Sequence, residues 1–298
     1  MAFSYLKAGG YKMIGLICES ATDTPFEVLE KDYVRWVSLR VILGEKEYRD
    51  VLEISQLEVL KFMETDIPKT SLPNYKDTYD AFEDLIKKGY EEIFAVTISS
   101  GISGTYNLFE NIALEMRKKY SVKIKIIDSK NISIGAGVIV YRISELIDMG
   151  KDFEYIQNEM EKIVGEKTNV FFLVPTLKYL KANGRIGKVS ASIGTFLNIK
   201  PIISVNKEGM YFDVAKSRGM KRSVEKLLEV FQKWVGNKKI NAVGIYKSGN
   251  SDQTNEYVQQ VIDEINKMNP NKVFVGDISS VALVHTGDGL VGIAAILY

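Results

Sequence analysis

Short apolar runs alternate with amphipathic stretches through the first half of this chain, and each run breaks into a loop rich in hydroxyls or glycine. Residues 14–18 form one run, ahead of Glu19-Ser20-Ala21-Thr22-Asp23. Residues 93–98 form another, ahead of Ser99-Ser100-Gly101-Ile102-Ser103-Gly104-Thr105, and residues 124–128 a third, ahead of a polar loop and helix over 129–137. Between them the periodicity predicts helices over 56–64, capped by Ser55, over 79–88, ended by Gly89, and over about 106–119. Strands separated by helices pair in parallel, so this half predicts an α/β sheet with ligand-binding loops at the carboxyl ends of its strands. Residues 33–43 are β-rich and continue through Gly44-Glu45-Lys46 as a hairpin.

The rhythm changes after Gly165-Glu166-Lys167. A strand over 170–174 and a helix over 176–182 precede strands 199–205 and 210–214, joined at Asn206-Lys207-Glu208-Gly209 as a hairpin. A helix over 221–235, a strand over 242–246, a helix over 254–267 and strands around Val273 and over 281–284 complete an α+β pattern. A length of 298 residues is long for one core. The expectation is therefore two domains, a parallel-sheet α/β lobe over 1–165, with residues 1–12 as an extension, and an α+β lobe over 166–298, with a ligand cleft between them.

Composition narrows the function. Thirty-nine Lys and Arg balance thirty-eight Asp and Glu, which gives no general attraction to nucleic acid. One cysteine, Cys18, and one histidine, His285, argue against a disulfide framework or a metal centre. Cys18 reads as a buried strand residue. No segment has the length and apolarity of a bilayer span, nor does the N-terminus look like a signal peptide, so the expectation is a soluble cytoplasmic protein.

Several segments carry candidate chemistry. The loop from Ser99 to Thr105 lies between a strand and a helix, where free N–H groups and the helix dipole favour an anion. It resembles a nucleophile elbow, but Thr105 stands where G-x-S-x-G needs glycine. Lys69-Thr70-Ser71-Leu72-Pro73 presents adjacent hydroxyls before a proline, and reads equally as a turn before a helix. Gly135 and Gly137 are explained as well by helix packing as by a ligand. Asn183-Gly184-Arg185 reads as a helix C-cap, with Arg185 available to an oxyanion; Arg218 and Arg222 belong to a second basic cluster. His285 is placed on an apolar strand that breaks into Gly287-Asp288-Gly289. Three readings follow: a carrier of an anionic ligand, a serine acyl hydrolase using Ser103 and His285, and a sugar- or phosphate-binding module.

Seven motifs in order resemble the DegV family of bacterial fatty-acid-binding proteins, which includes acyl-binding subunits of fatty acid kinase. They are Glu19-Ser20-Ala21-Thr22-Asp23, Lys69-Thr70-Ser71-Leu72-Pro73, Ile98 to Tyr106, Asp128-Ser129, Asn183-Gly184-Arg185-Ile186, Lys200-Pro201-Ile202 and His285-Thr286-Gly287. The resemblance implies a two-domain protein that is not itself an enzyme and has no cofactor or metal. It would hold one fatty acid, such as palmitate or oleate, with the carboxylate in the interdomain cleft and the chain in an apolar tunnel. The carboxylate network would fall on Thr70, Ser103 and His285, with Ser71, Ser100, Gly104 and Thr286 as neighbours. Phe171, Phe172, Leu197 and Ile203 are candidate tunnel residues. A separate ATP-binding kinase subunit would convert the presented carboxylate to an acyl phosphate, and Arg185, Arg218 and Arg222 would contact that partner or phosphate. The chain departs from the family pattern where Glu19 replaces Asp, and where Asn183 and Asp288 replace Gly and Pro. Asp288 stands three residues from His285, close enough in sequence to alter its protonation.

Overall fold

The computed structural model describes residues 12–189 and 198–298. Among these, thirteen strands form three sheets. The first is parallel, in the order β2-β1-β6-β7, from β1 (Ile14–Glu19), β2 (Val34–Val37), β6 (Glu92–Thr97) and β7 (Lys123–Asp128). The second has six strands, in the order β10-β9-β8-β13-β11-β12. These are β8 (Thr168–Leu173), β9 (Ile199–Val205), β10 (Tyr211–Arg218), β11 (Ile240–Lys247), β12 (Lys272–Asp277) and β13 (Val291–Leu297). It is antiparallel except where β11 pairs with β12. A small antiparallel sheet joins β3 (Arg40–Leu43) to β4 (Lys46–Arg49) and β5 (Lys69–Ser71).

The helices are α1 (Phe26–Leu29), α2 (Gln56–Met63), α3 (Tyr75–Lys87), α4 (Thr105–Lys119), α5 (Ile134–Asp148), α6 (Phe153–Ile163), α7 (Lys178–Ala182), α8 (Met220–Val235), α9 (Asp252–Asn266) and α10 (Ser280–Thr286). Local chemistry sets several starts: Ser55 and Glu58 form a capping box on α2, while Asn74, Asp152 and Ser251 cap α3, α6 and α9.

Period-two alternation sorts each strand between two layers. Ile93 and Ala95 of β6 face α3 and α4, whereas Phe94 and Val96 face α5. In β8, Phe171 and Leu173 pack toward α8, and Val170 and Phe172 face α5. The stacking is therefore α3 and α4, parallel sheet, α5 and α6, six-stranded sheet, α8 and α9. α5 touches both large sheets, and one core cluster runs through it from Leu16 to Ile296. Cys18 lies within that core on β1.

Four expectations change. Residues 281–284 belong to helix α10, and the terminal strand is β13. Four apolar residues carry no period that separates strand from helix; distant partners of the first N–H groups decide it. Residues 69–71 form a strand because their backbone pairs with β3, with Thr70 opposite Val41. The β-rich stretch 33–43 divides between two sheets, and only its second part forms the hairpin. α6 lies outside the predicted elements, although Phe153, Ile156, Met160 and Ile163 are buried at helical spacing.

Gly137 lets α5 touch the turn after β1: a Cβ there would lie 2.7 Å from the Thr22 carbonyl oxygen and 3.1 Å from that of Asp23. Backbone atoms cannot rotate aside as a side chain can. Gly137→Ala is expected to lower stability by about 1–3 kcal/mol, the usual cost of overpacking. Denaturant unfolding should show a reduced midpoint at unchanged slope; an unchanged midpoint would show that the contact yields freely.

Candidate functional site

The carboxyl ends of β1, β6 and β7 lie side by side, so the loops that follow them gather at one edge of the parallel sheet. Ala21, Ile98, Ile102, Ser103, Ile132 and Ser133 from these loops form one wall of a narrow slot. Val170 and Phe172 of β8, Tyr246 of β11, Gly292 of β13 and the inner face of α10 form the opposite wall. The slot is narrow, with a cavity volume of about 70 Å³. Its lining is mainly apolar; Thr70, Ser103, His285, Thr286 and Arg185 supply polar groups, and Ser133, Tyr211 and Tyr246 add hydroxyl-bearing side chains.

Thr70 and His285 come from different sheets' surroundings and meet directly, with Oγ1 2.9 Å from Nε2. β5 aims Thr70 inward and leaves its neighbour Ser71 exposed. His285 sits near the carboxyl end of α10, with its Nδ1 enclosed and without a hydrogen-bond partner among the described residues. Burial, reinforced by the positive charge of Arg185, pushes its pKa down to about 3, so the ring is neutral at neutral pH. An enclosed lone pair is tolerated more readily than an enclosed N–H. That favours the tautomer in which Nε2–H donates to Thr70 Oγ1, leaving the threonine proton free to donate to an anion in the slot.

Two carboxyl groups anchor α10 from its other end. Asp23 Oδ1 accepts the Ser279 N–H at 2.8 Å, and Asp50 Oδ1 accepts the Val281 N–H at 3.2 Å. Both satisfy free N–H groups where the helix dipole favours negative charge. Asp23 also accepts the Ser133 hydroxyl just before α5. Glu19 Oε1 accepts the Ile98 N–H at 2.8 Å, while its Oε2 has no partner among the described residues. Desolvation raises Glu19 to about 8, Asp23 to about 7 and Asp50 to about 6. Asp50 is absent from the sequence-derived site, and Asp23 enters only as part of a motif; residue type alone does not show that a carboxylate is buried.

The remaining candidates separate by position. Thr286 lines the slot, but its hydroxyl donates to the Ala282 carbonyl at 3.0 Å. Ser100 is exposed and bonded to Asp128, with its N–H 3.1 Å from Oδ1, and Gly104 is the exposed N-cap of α4. Neither these two nor Ser71 lines the slot. Arg185 stands at the slot with Nη1 donating to the Asn183 carbonyl at 2.6 Å, whereas Arg218 and Arg222 are exposed on β10 and α8 and do not line it. Asn183 ties α7 to α10 through the Val284 carbonyl, 3.3 Å away. Asp288 is exposed, and its carboxylate packs where a side chain at Gly249 would stand, so it does not line the slot.

Of the tunnel candidates, Phe172 lines the slot, Phe171 faces Phe231 and Trp234 on the other side of β8, and Ile203 is buried elsewhere in the core. Leu197 falls outside the described residues. Phe171 is thus corrected by strand alternation, which sends adjacent residues to opposite faces. For hydrolysis, Ser103 would need the imidazole as its base. Its Oγ instead pairs with Thr105 Oγ1 at 2.9 Å, and the ring nitrogen pairs with Thr70. Among the described residues, no cluster of three His, Cys, Asp or Glu could hold a metal ion, and no helix is long and apolar enough to cross a membrane.

Residues 13–297 match the family model described as uncharacterised protein, DegV family. A DegV domain-containing protein of Clostridium acetobutylicum is 39% identical over 282 residues, covering 94% of this chain and 97% of the relative. A solved Thermus thermophilus structure, described as fatty acid binding of a DegV family protein, is similar with a TM-score of 0.87 and 30% identity, covering 96% of this chain and 100% of the other. A stearic-acid-binding protein of Eubacterium ventriosum is similar with a TM-score of 0.84 and 28% identity, covering 96% and 98%.

The buried carboxylates carry a pH signature. Raised folded pKa values mean that folding takes up protons, so this stabilisation is full below about pH 4 and is lost as pH rises through 6 to 8. His285 has the opposite sign, since its folded pKa is depressed, and its opposing slope fades over about one pH unit above its ordinary 6.5, where the three carboxyl groups outweigh it. Between pH 6.5 and about 8.5 the melting temperature of the ligand-free protein should therefore fall, and fall less in Glu19→Gln. Differential scanning calorimetry tests this, and a flat or rising wild-type profile would contradict it.

Proposed function

The chain belongs to the DegV family, and from that premise we propose that it binds one long-chain fatty acid in the slot. The carrying observation is the slot's chemical asymmetry: the Thr70–His285 pair stands with Ser103 and Arg185 among an otherwise mainly apolar lining. Two similar structures are described as fatty-acid binding. The carboxylate accepts the Thr70 proton, oriented by the neutral His285, and a second hydroxyl from Ser103. Arg185 supplies the nearby positive charge. Affinity comes from the chain, since burying each methylene contributes about 0.8 kcal/mol. A sixteen-carbon chain thus offers on the order of 10 kcal/mol, opposed by lost translational and conformational freedom.

In the same proposal the two domains divide at residues 165 and 166, and the protein is a carrier that presents its ligand to an ATP-dependent kinase. The partner transfers the γ-phosphoryl group of ATP to a carboxylate oxygen, releasing ADP and leaving an acyl phosphate. Arg185, Arg218 and Arg222 are the residues assigned to partner or phosphate. The sequence contains no G-x-x-x-x-G-K-[ST] loop, consistent with nucleotide binding on a separate subunit.

Protein purified from cells, denatured and extracted with organic solvent, should release fatty acid in stoichiometric amount by mass spectrometry. Absence of lipid, together with no binding of added palmitate or oleate, would remove the proposal. Thr70→Val preserves shape and deletes the donor, and should weaken palmitate binding about 10- to 100-fold, the usual loss for a hydrogen bond to a charged group. Calorimetric titration measures it; unchanged affinity would place the carboxylate elsewhere.

A further inference from the structure

Two cavities meet at Tyr246 and Ile278. Both residues line the slot, and both also line a second, wider cleft that opens to solvent. The cleft has apolar walls at Trp36, Ile54 and Leu60 and polar walls at Glu19 and Ser279. Tyr246 is only 8% exposed and stands between two glycines across the sheet, Gly276 of β12 and Gly292 of β13. A Cβ at Gly276 would lie 3.0 Å from Tyr246 Cζ and 3.3 Å from Oη, so the ring leans over β12. On the other side, the atoms nearest a Cβ at Gly292 are Phe172 Cβ at 3.3 Å and Leu290 Cδ2 at 3.6 Å, and Gly292 itself lines the slot. One glycine makes room for the ring, and the other keeps the slot open beside it.

Ile278 lies just before α10, and His285 lies near its far end. At 1.5 Å per residue, Ser280 at the start of α10 and His285 are separated by about 7.5 Å along the helix, and Ile278 precedes Ser280 by two residues. The shared wall therefore stands away from the Thr70–His285 pair, where the chain of a ligand held by its carboxylate would run. Behind that wall the cleft offers apolar surface, with the buried Glu19 carboxyl group among its polar lining.

Resting on the fatty-acid reading, we propose that Tyr246, backed by Ile278, sets the length of acyl chain that the slot accepts, and that the cleft behind it is an extension chamber shut off by the ring. Removing the ring joins the two spaces and lets longer chains continue against Trp36, Ile54 and Leu60. Adding a methyl at Gly276 pushes the ring by a few tenths of an ångström toward the slot and shortens it. The two substitutions act in opposite directions on one property.

The test uses delipidated full-length wild type, Tyr246→Ala and Gly276→Ala, with circular dichroism and melting curves to confirm folding. Myristate, palmitate, stearate, arachidate and behenate compete against a fluorescent fatty acid. Tyr246→Ala should improve the affinity of the longer acids relative to palmitate by about tenfold for each two methylenes newly buried. Gly276→Ala should shift the ranking toward myristate. Folded variants that keep the wild-type ranking overturn the length gauge and leave the fatty-acid reading intact, whereas a wild type that binds none of the acids overturns that reading. Should Tyr246→Ala not fold, the direction of the Gly276→Ala shift decides alone.

Discussion

α5 has no polar face along its first two turns: Ile134 through Val140 are buried without a break. Such a helix must be covered on every side, and here the parallel sheet covers one side and the six-stranded sheet the other. Close approach depends on its glycines, since Gly135 abuts Val170 and Gly137 abuts the turn at Thr22. The two sheets are thus held a helix diameter apart. At the amino end of α5 the spacer stops, and Ile132, Ser133 and Ile134 become part of a slot between the layers. The cavity is a consequence of the packing that gives the fold its centre.

α10 closes that slot, and its attachment explains the slot's polarity. Asp23 and Asp50 reach its first turn from segments more than two hundred positions earlier in the chain, and Asn183 reaches the Val284 carbonyl near its end. Burying carboxyl groups without cations is costly unless their hydrogen bonds are well made, and the raised pKa values record that cost. The return is a helix fixed so that His285 meets Thr70 across the slot. The carboxyl groups are placed away from that meeting point, so the head-group region is lined by hydroxyls, a neutral imidazole and one arginine.

Much of this was legible in the residues because it repeats. The runs at 14–18, 93–98 and 124–128 alternate with helices in a way that only a parallel sheet accommodates, and the loops after them do converge on the slot. The resemblance brought Thr70, Ser103 and His285 together; the structure places them in one cavity through the pairing of β5 with β3 and the docking of α10. The strand assigned to residues 281–284 failed because caps from Asp23 and Asp50, over two hundred positions away in sequence, determine that segment. Phe171 and Phe172 are chemically alike, and only the register of β8 decides which one meets the slot. Tyr246 gave no signal at all: its position depends on glycines in two other strands.

In the proposed complex the carboxylate lies at Thr70 and the chain runs along α10 toward Ile278. A crystal structure with a fatty acid brominated at its terminal carbon tests it through anomalous scattering. The expected result is the carboxylate within hydrogen-bonding distance of Thr70 and Ser103, and the bromine peak beside Ile278 and Tyr246. A bromine peak beside His285, or a ligand lying outside the slot, would contradict it.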